Sequence, residues 1–385
     1  MSYLKFAADH VFTGHDWLGA DHVLITDKEG VILELLPKAE AGEGVQELRG
    51  ILCPGFVNAH VHLELSYLKG KIPRRSGMID FLLAVMGSRQ QEEAVILKAI
   101  ADADAAMYAN GIAVAGDICN TPHTLHQKKV SSVCYHNFIE VTGVRSALAT
   151  TRLVDALSLQ QQFVRYWPTQ TTVVPHALYS VAPQLLQEII QLPDNQLLTL
   201  HNQESVDEQN FLSGQPGSFQ RLYEALQLDL HELPPAAAQH WKTWLPALQE
   251  QQTLLLVHNV TTTARDLTDL HNLGIRSQVY FCLCPKANLY IGNGLPDVPL
   301  LRSSGLPLVI GTDSLASNDE LNILAELRTL HQYFPEIPQP ELLQWATLNG
   351  ARALRQEEQY GSFDRQKKPG VLLLSPDWKQ VRRIL

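Results

Sequence analysis

The stretch CPGFVNAHVHLELS, residues 53–66, is a short apolar run closed by two histidines two positions apart. Alternate residues of a strand point the same way, so His60 and His62 share one face at its end. The pattern recurs down the chain. TTVVPHALYS (171–180) reaches His176, LLTLHNQE (197–204) reaches His201 with Glu204 three residues on, TLLLVHN (253–259) reaches His258, and LVIGTDS (308–314) reaches Asp313. Working outward from these runs, strands are predicted at 56–62, 112–119, 133–141, 172–177, 197–203, 253–259, 279–285 and 308–314. Several are almost continuously apolar, as parallel strands buried on both faces are. Helical patterns over 94–110, 184–191 and 321–333 fall between or after them. Eight such βα units predict an α/β fold, either a (β/α)8 barrel or a large open sheet.

The two ends read differently. The first 50 residues alternate short apolar runs with turns, including Lys28-Glu29-Gly30, and predict β-hairpins. The tail KPGVLLLSPDWKQVRRIL (368–385) predicts one or two further strands. These ends are expected to form one small β-domain, 1–52 plus 360–385, beside a main domain of 53–359. Loops are expected at 213–217 and around Leu233–Pro235.

The bulk properties narrow the partners. A chain of 385 residues suits one large barrel and a minor domain. Its net charge of −10, with no long basic run, argues against a nucleic-acid or anionic-membrane surface. There is no apolar run long enough to span a bilayer, and MSYLKFAADHVFTG does not read as a signal peptide. Five cysteines, an odd number lying mostly in apolar segments, read as buried thiols in a reducing compartment, so the cytoplasm is expected. Cys282 and Cys284 alternate on one strand without nearby partners, which favours packing over metal binding.

In a barrel the C-terminal strand ends converge on one face, where such enzymes place their chemistry. His60, His62, His201 and Asp313 then make three nitrogen ligands and one carboxylate. That set suits one divalent ion, zinc first, with Fe(II) or Mn(II) as alternatives. Singly, each residue reads more readily as a core histidine or a tight turn; the ordered recurrence carries the argument.

NAHVHLELS, PHALYS, HNQES, LVHNV and CPKANLYIGNGLPDVPLL followed by GTDSLASNDELNILAELR together resemble the amidohydrolase superfamily. Within it they are most similar to the adenosine-type deaminases, which include those acting on S-adenosylhomocysteine and methylthioadenosine. The similarity runs from about Cys53 to about Leu354, and it implies a (β/α)8 barrel carrying a small β-sandwich. It also implies that His60, His62, His201 and Asp313 bind one metal, that Glu204 moves substrate protons, and that His258 positions the attacking water. Related enzymes bridge two metals with a lysine after strand four. That strand here ends in His176, so one ion and a substrate contact for His176 are expected. Asp207 and Glu208, close behind Glu204, read as solvated.

HLELSYLKGKIPRRSGMIDFLLAVMGSRQ (62–90) resembles aminofutalosine deaminases of menaquinone biosynthesis. Their substrate is an adenine nucleoside whose 5′ end carries a benzoate. A guanidinium fork suits that carboxylate. Arg89 is the first candidate and Arg145 the second, although Arg89 also reads as a helix C-terminal cation. Asp80 is a candidate for the ribose hydroxyls or a solvated helix residue. Glu64 either lines the pocket or braces a metal histidine. GTDS in place of the more usual GTDG, and CPKANLY in place of a serine-asparagine pair, leave the base and its appendage open. Other adenine nucleosides, guanine, cytosine, pterins and cyclic amides remain rivals, as does a non-catalytic scaffold. A homodimer is compatible with the sequence.

Overall fold

The structure is a computed structural model and describes residues 3–88, 90–215, 217–228 and 241–385. Arg89 and the Leu233–Pro235 loop lie outside the described residues. Eight parallel strands occupy the middle of the chain: β8 (Phe56–Val61), β9 (Ile112–Cys119), β10 (Cys134–Val141), β11 (Thr171–Pro175), β12 (Leu197–Asn202), β13 (Thr253–His258), β14 (Gln278–Leu283) and β15 (Leu308–Ile310). They form two four-stranded sheets in sequence order, β8 to β11 and β12 to β15. Single parallel bridges, Ala177 with His201 and Val61 with Asp313, link the sheets at both margins. The fold is therefore mixed α/β with parallel sheets. Strands β8, β9, β11, β12 and β13 are buried along their whole length, covered on one face by strand side chains and on the other by helices.

Predicted and observed strands coincide at 112–119 and otherwise differ by one to four residues; His62, His176 and Asp313 lie just past the end of the ladder, while His60, His201 and His258 stay within it. The last strand is the extreme case, with only Leu308–Ile310 paired before Gly311. A Cβ at Gly311 would lie 2.9 Å from the His60 Cβ, so the two chains meet there because residue 311 has no side chain. Asn58 sews the same margin: its Oδ1 accepts from the Thr312 amide at 3.0 Å, and its Nδ2 donates to Thr312 Oγ1 at 2.7 Å.

Before and after these strands lie β1 (Leu4–Ala7), β2 (His10–Phe12), β3 (Trp17–Gly19), β4 (His22–Thr26), β5 (Ile32–Pro37), β6 (Gln46–Glu47), β7 (Ile51–Pro54), β16 (Val371–Leu374) and β17 (Val381–Arg383). They build two small sheets, β5-β4-β1-β6 and β17-β16-β7-β2-β3, so both chain ends share the second. Phe6 and Leu24 of one sheet and Val11, Leu52 and Val371 of the other join a common apolar cluster. No described helix is long and apolar enough to cross a membrane. Among the described residues all five cysteines are free thiols, four of them buried.

His136 sits buried in β10, its Nε2 3.0 Å from Thr172 Oγ1. Burial, helped by the charges of Lys128 and Arg355, pushes its imidazole down to about 3. The folded state keeps this ring neutral while the unfolded chain protonates it below pH 6.5, so its contribution is lost as pH falls from about 6.5 toward 3. Between pH 7.5 and pH 5 the wild type should lose about 2 kcal/mol relative to His136→Gln, measured by urea denaturation of both. An unchanged gap would mean the ring already titrates normally.

Candidate metal centre and active site

Strand ends bring the four predicted ligands together. His62 Nε2 lies 3.2 Å from both His60 Nε2 and His201 Nε2, while Asp313 Oδ1 lies 3.4 Å from His62 Nε2 and 3.7 Å from His60 Nε2. All four side chains are buried. Their supports are local. The His201 Nδ1–H donates to the His176 carbonyl at 2.9 Å, which turns the Nε2 lone pair toward the cluster. The amides of Thr312 and Asp313 both donate to the His60 carbonyl at 3.1 Å, and the Ser317 hydroxyl donates to Asp313 Oδ2. Leu63, directly after His62, donates its amide to Asp117 Oδ1 at 2.7 Å, and Asp117 is paired with Lys128 at 2.5 Å in full burial.

This donor set fits a metal ion. A tetrahedral ion with ligand bonds of 2.0–2.1 Å separates its ligands by about 3.3 Å, close to the spacings here. Burial pushes the His62 imidazole down to about 4 and His201 well below its usual range, so their nitrogens present lone pairs. Asp313 goes the other way: burial would raise its carboxyl, but the neighbouring His60, His62 and His258 imidazoles favour its ionised form and hold it well below the usual range. Neutral imidazoles and an ionised carboxylate are what a divalent ion requires. Glu140, His176 and His201 form a second close group, but it shares His201, whose Nδ1 is already engaged by the His176 carbonyl.

Beside the cluster, His258 Nε2 lies 3.7 Å from Glu204 Oε2, and His258 Nδ1 lies 2.9 Å from Asn288 Oδ1. Burial pushes His258 down to about 4, with Asp313 pulling the opposite way. Burial, then the charges of Asp313 and Glu208, push the Glu204 carboxyl well above its usual range. Three residues here hold left-handed backbone without being glycine: Gln203 (φ 49°), His258 (φ 77°) and Asp313 (φ 56°). Each such conformation costs on the order of 1–3 kcal/mol, and such residues cluster at functional sites.

A cavity of about 480 Å³ opens onto these groups, lined by His62, His176, His201, Glu204, His258 and Asp313 at the cluster. Met78, Phe81, Leu82, Val85 and Met86 supply an apolar wall, and Arg145 and Arg152 also line it, near the exposed Leu148 and Leu226. His176 faces the cavity with its Nδ1 2.6 Å from Ser180 Oγ.

Other expectations land elsewhere. Asp80 is exposed and paired with Arg221 rather than lining the cavity, because its turn of helix Met78–Gly87 faces outward. Glu64 turns to the loop after β9: its Oε2 accepts from the amides of Asn120 (3.1 Å) and Thr121 (3.0 Å) and from Thr121 Oγ1 (2.8 Å). Glu208 is not solvated but 1% exposed. Sequence reasoning also passed over Glu140, Arg152 and Asn288. Glu140 does end a predicted strand and was legible in principle. Nothing local marks Arg152, which reaches the cavity from helix Ala149–Val164.

Residues 51–382 match the amidohydrolase family. An adenosine deaminase of Helicobacter pylori is 27% identical over 319 residues, covering 79% of this chain and 74% of that protein. An aminodeoxyfutalosine deaminase of Nitratiruptor is 26% identical over 285 residues, covering 72% and 67%. The crystal structure of Helicobacter pylori aminofutalosine deaminase with methylthio-coformycin superposes with a TM-score of 0.82 at 23% identity, covering 97% of this chain and 92% of that one, and so shares the fold.

The ligand geometry predicts one equivalent of divalent metal in the purified protein. His201→Ala, lacking one of four ligands, should retain less than about a tenth of it while staying folded. Elemental analysis checks both, and full occupancy in the variant would count against the cluster.

Proposed function

The chain belongs to the amidohydrolase family, and on that premise we propose that it is a metal-dependent, adenosine-type deaminase whose substrate is aminofutalosine, yielding futalosine and ammonia for menaquinone biosynthesis. One observation carries the reading. One cavity brings a metal-type ligand set together with a buried carboxyl group, Glu204, whose pKa is pushed up, and with the guanidinium groups of Arg145 and Arg152. The architecture that goes with this reading is a (β/α)8 barrel over 53–359, closed through the two bridged margins. The chain ends, 1–52 and 360–385, make a small β-sandwich.

His60, His62, His201 and Asp313 would hold the ion, and three imidazoles with one carboxylate suit zinc, Fe(II) or Mn(II). When bound, that ion would supply Lewis-acid activation of water. Asp313, ionised in the folded protein, accepts the proton that the attacking water gives up. His258, fixed through Asn288, turns Nε2 toward the same space and orients the water. Glu204 delivers its carboxyl proton to the ring nitrogen beside the carbon that bears the amino group. That protonation makes the carbon electrophilic; the amino group takes the proton held by Asp313 and leaves as ammonia, and the hydroxyl proton left on the carbon returns to Glu204 as the carbonyl forms.

The mouth argues for the appendage. Arg145 and Arg152 offer charge-assisted bonds to a carboxylate, and the apolar wall between them and the catalytic groups suits an aromatic ring. Adenosine would leave both guanidinium groups without that partner. S-adenosylhomocysteine has a carboxylate but no ring to cover the apolar wall.

Ammonia release should therefore be fastest, by kcat/KM, from aminofutalosine when compared with S-adenosylhomocysteine, adenosine and guanine. A preference for any of the other three would overturn the substrate while leaving the chemistry. Glu204→Gln should keep its metal yet lose at least about 10²-fold in kcat; near-normal turnover would remove Glu204 from the mechanism. Replacing Arg145 and Arg152 together by Met should raise KM for the carboxylate substrate about 10- to 100-fold, from lost charged hydrogen bonds. Adenosine kinetics should be unaffected by that change, and equal losses on both substrates would count against a carboxylate clamp.

A further inference from the structure

The turn from β12 to helix Val206–Leu212 carries Glu204, and it is organised around a buried carboxyl group, Glu208, which burial pushes up to about 7 against the opposing pull of its backbone hydrogen bonds. Glu208 Oε1 accepts from the Gln203 amide at 3.2 Å and Oε2 from the Glu204 amide at 2.7 Å, while the carboxylate also draws on the Ser205 amide. Ser205 returns the contact, its Oγ accepting from the Glu208 amide at 3.2 Å. Three successive N–H groups thus converge on one carboxylate, in a turn where Gln203 holds φ 49°.

A contrast within the same chain shows that this exceeds ordinary helix capping. Thr263 and Asp266 cap helix Ala264–Asn272 with a reciprocal pair, but Asp266 is only half-buried and reaches back only to the Thr263 amide and hydroxyl. Glu208 is 1% exposed and reaches two residues further back. A carboxylate is costly to bury unless it is fully hydrogen-bonded. A helix cap alone could be made by a half-buried carboxylate, as at Asp266, without that full cost.

We propose that Glu208 is a positioning residue for catalysis: by gathering the amides of residues 203–205 it aims the Glu204 carboxyl group at the reacting ring. The inference rests on the deaminase reading of Glu204. The turn is braced on its other side as well, since Gln203 O accepts from the Thr261 amide at 3.0 Å just beyond His258. Glu204 and His258 are therefore set by one connected piece of backbone.

The test is a double-mutant cycle in metal-replete enzyme, measuring kcat, KM and metal content on whichever nucleoside the wild type deaminates. Glu208→Asp keeps a capping carboxylate but is one methylene too short for the Gln203 and Glu204 amides. It should lower kcat about 10- to 100-fold, the scale of a misplaced catalytic group, with KM and metal content within about twofold. Glu208→Gln keeps the length and one acceptor oxygen but turns an NH2 group toward one of the two amides, so it should recover only part of that loss. In a Glu204→Gln background, Glu208→Asp should cost nothing further in kcat. An equal loss in both backgrounds, or wild-type kcat in Glu208→Asp, overturns the positioning role. Absence of ammonia from the wild type on every nucleoside would instead defeat the deaminase reading.

Discussion

Three imidazole nitrogens and one carboxylate oxygen meet in a space too small for any of them to find an ordinary hydrogen-bond partner. Burial pushes the His62 and His201 imidazoles down, and lone pairs 3.2 Å apart repel, so the protein must hold the cluster together from outside. The surrounding order follows from that requirement. Gly311 lets two chains meet, Asn58 sews the first strand to the last, and the Asp117–Lys128 pair grips the chain just past His62. Each is buried and would be costly on its own. Together they place ligands from strands 250 residues apart to within an ångström or so, and a divalent ion that binds there recovers part of the cost as folding free energy.

Part of the backbone strain lies where the chemistry is. Gln203, His258 and Asp313 all take left-handed backbone at the point where a strand gives way to a loop. At such a point the strand's alternation no longer dictates which way a side chain points: His258 and Asp313 line the cavity, while Gln203 bonds Thr262 and leaves the cavity to Glu204 beside it. The conformation persists because neighbouring bonds over-determine it: the Glu208 carboxylate at one turn, the His60 carbonyl and Ser317 at another.

How much of this was legible varied with the kind of signal. The eight strands were, because apolar runs ending in histidine or aspartate are local patterns, and their order along the chain is their order in the two sheets. The four clustered residues were also legible, since each closes such a run. Glu208 was not. Its neighbours Asp207 and Val206 are polar and exposed, respectively, so a third residue beside them reads as surface; only the turn's curvature puts Glu208 beneath it. Asp80 had two readings, ribose contact or solvated helix residue, and its exposure beside Arg221 goes with the second. It lies on a helix that does line the cavity through Met78, Phe81 and Leu82, but a helix has an outward face too, and Asp80 is on it beside Arg221.

The amino-acid sequence by itself determined the alternation of strand and helix, the chemical identity of the donor set and the family to which the chain belongs, because these are written in periodicity and in short motifs. Only the tertiary structure decided which side chains share the cavity. It brought Arg152 and Glu140 to it, turned Glu64 and Asp80 away, and buried a carboxylate behind Glu204. Those outcomes depend on helix rotation, loop curvature and contacts between residues far apart in the chain, and no local pattern of residue types encodes the direction in which a loop side chain finally points.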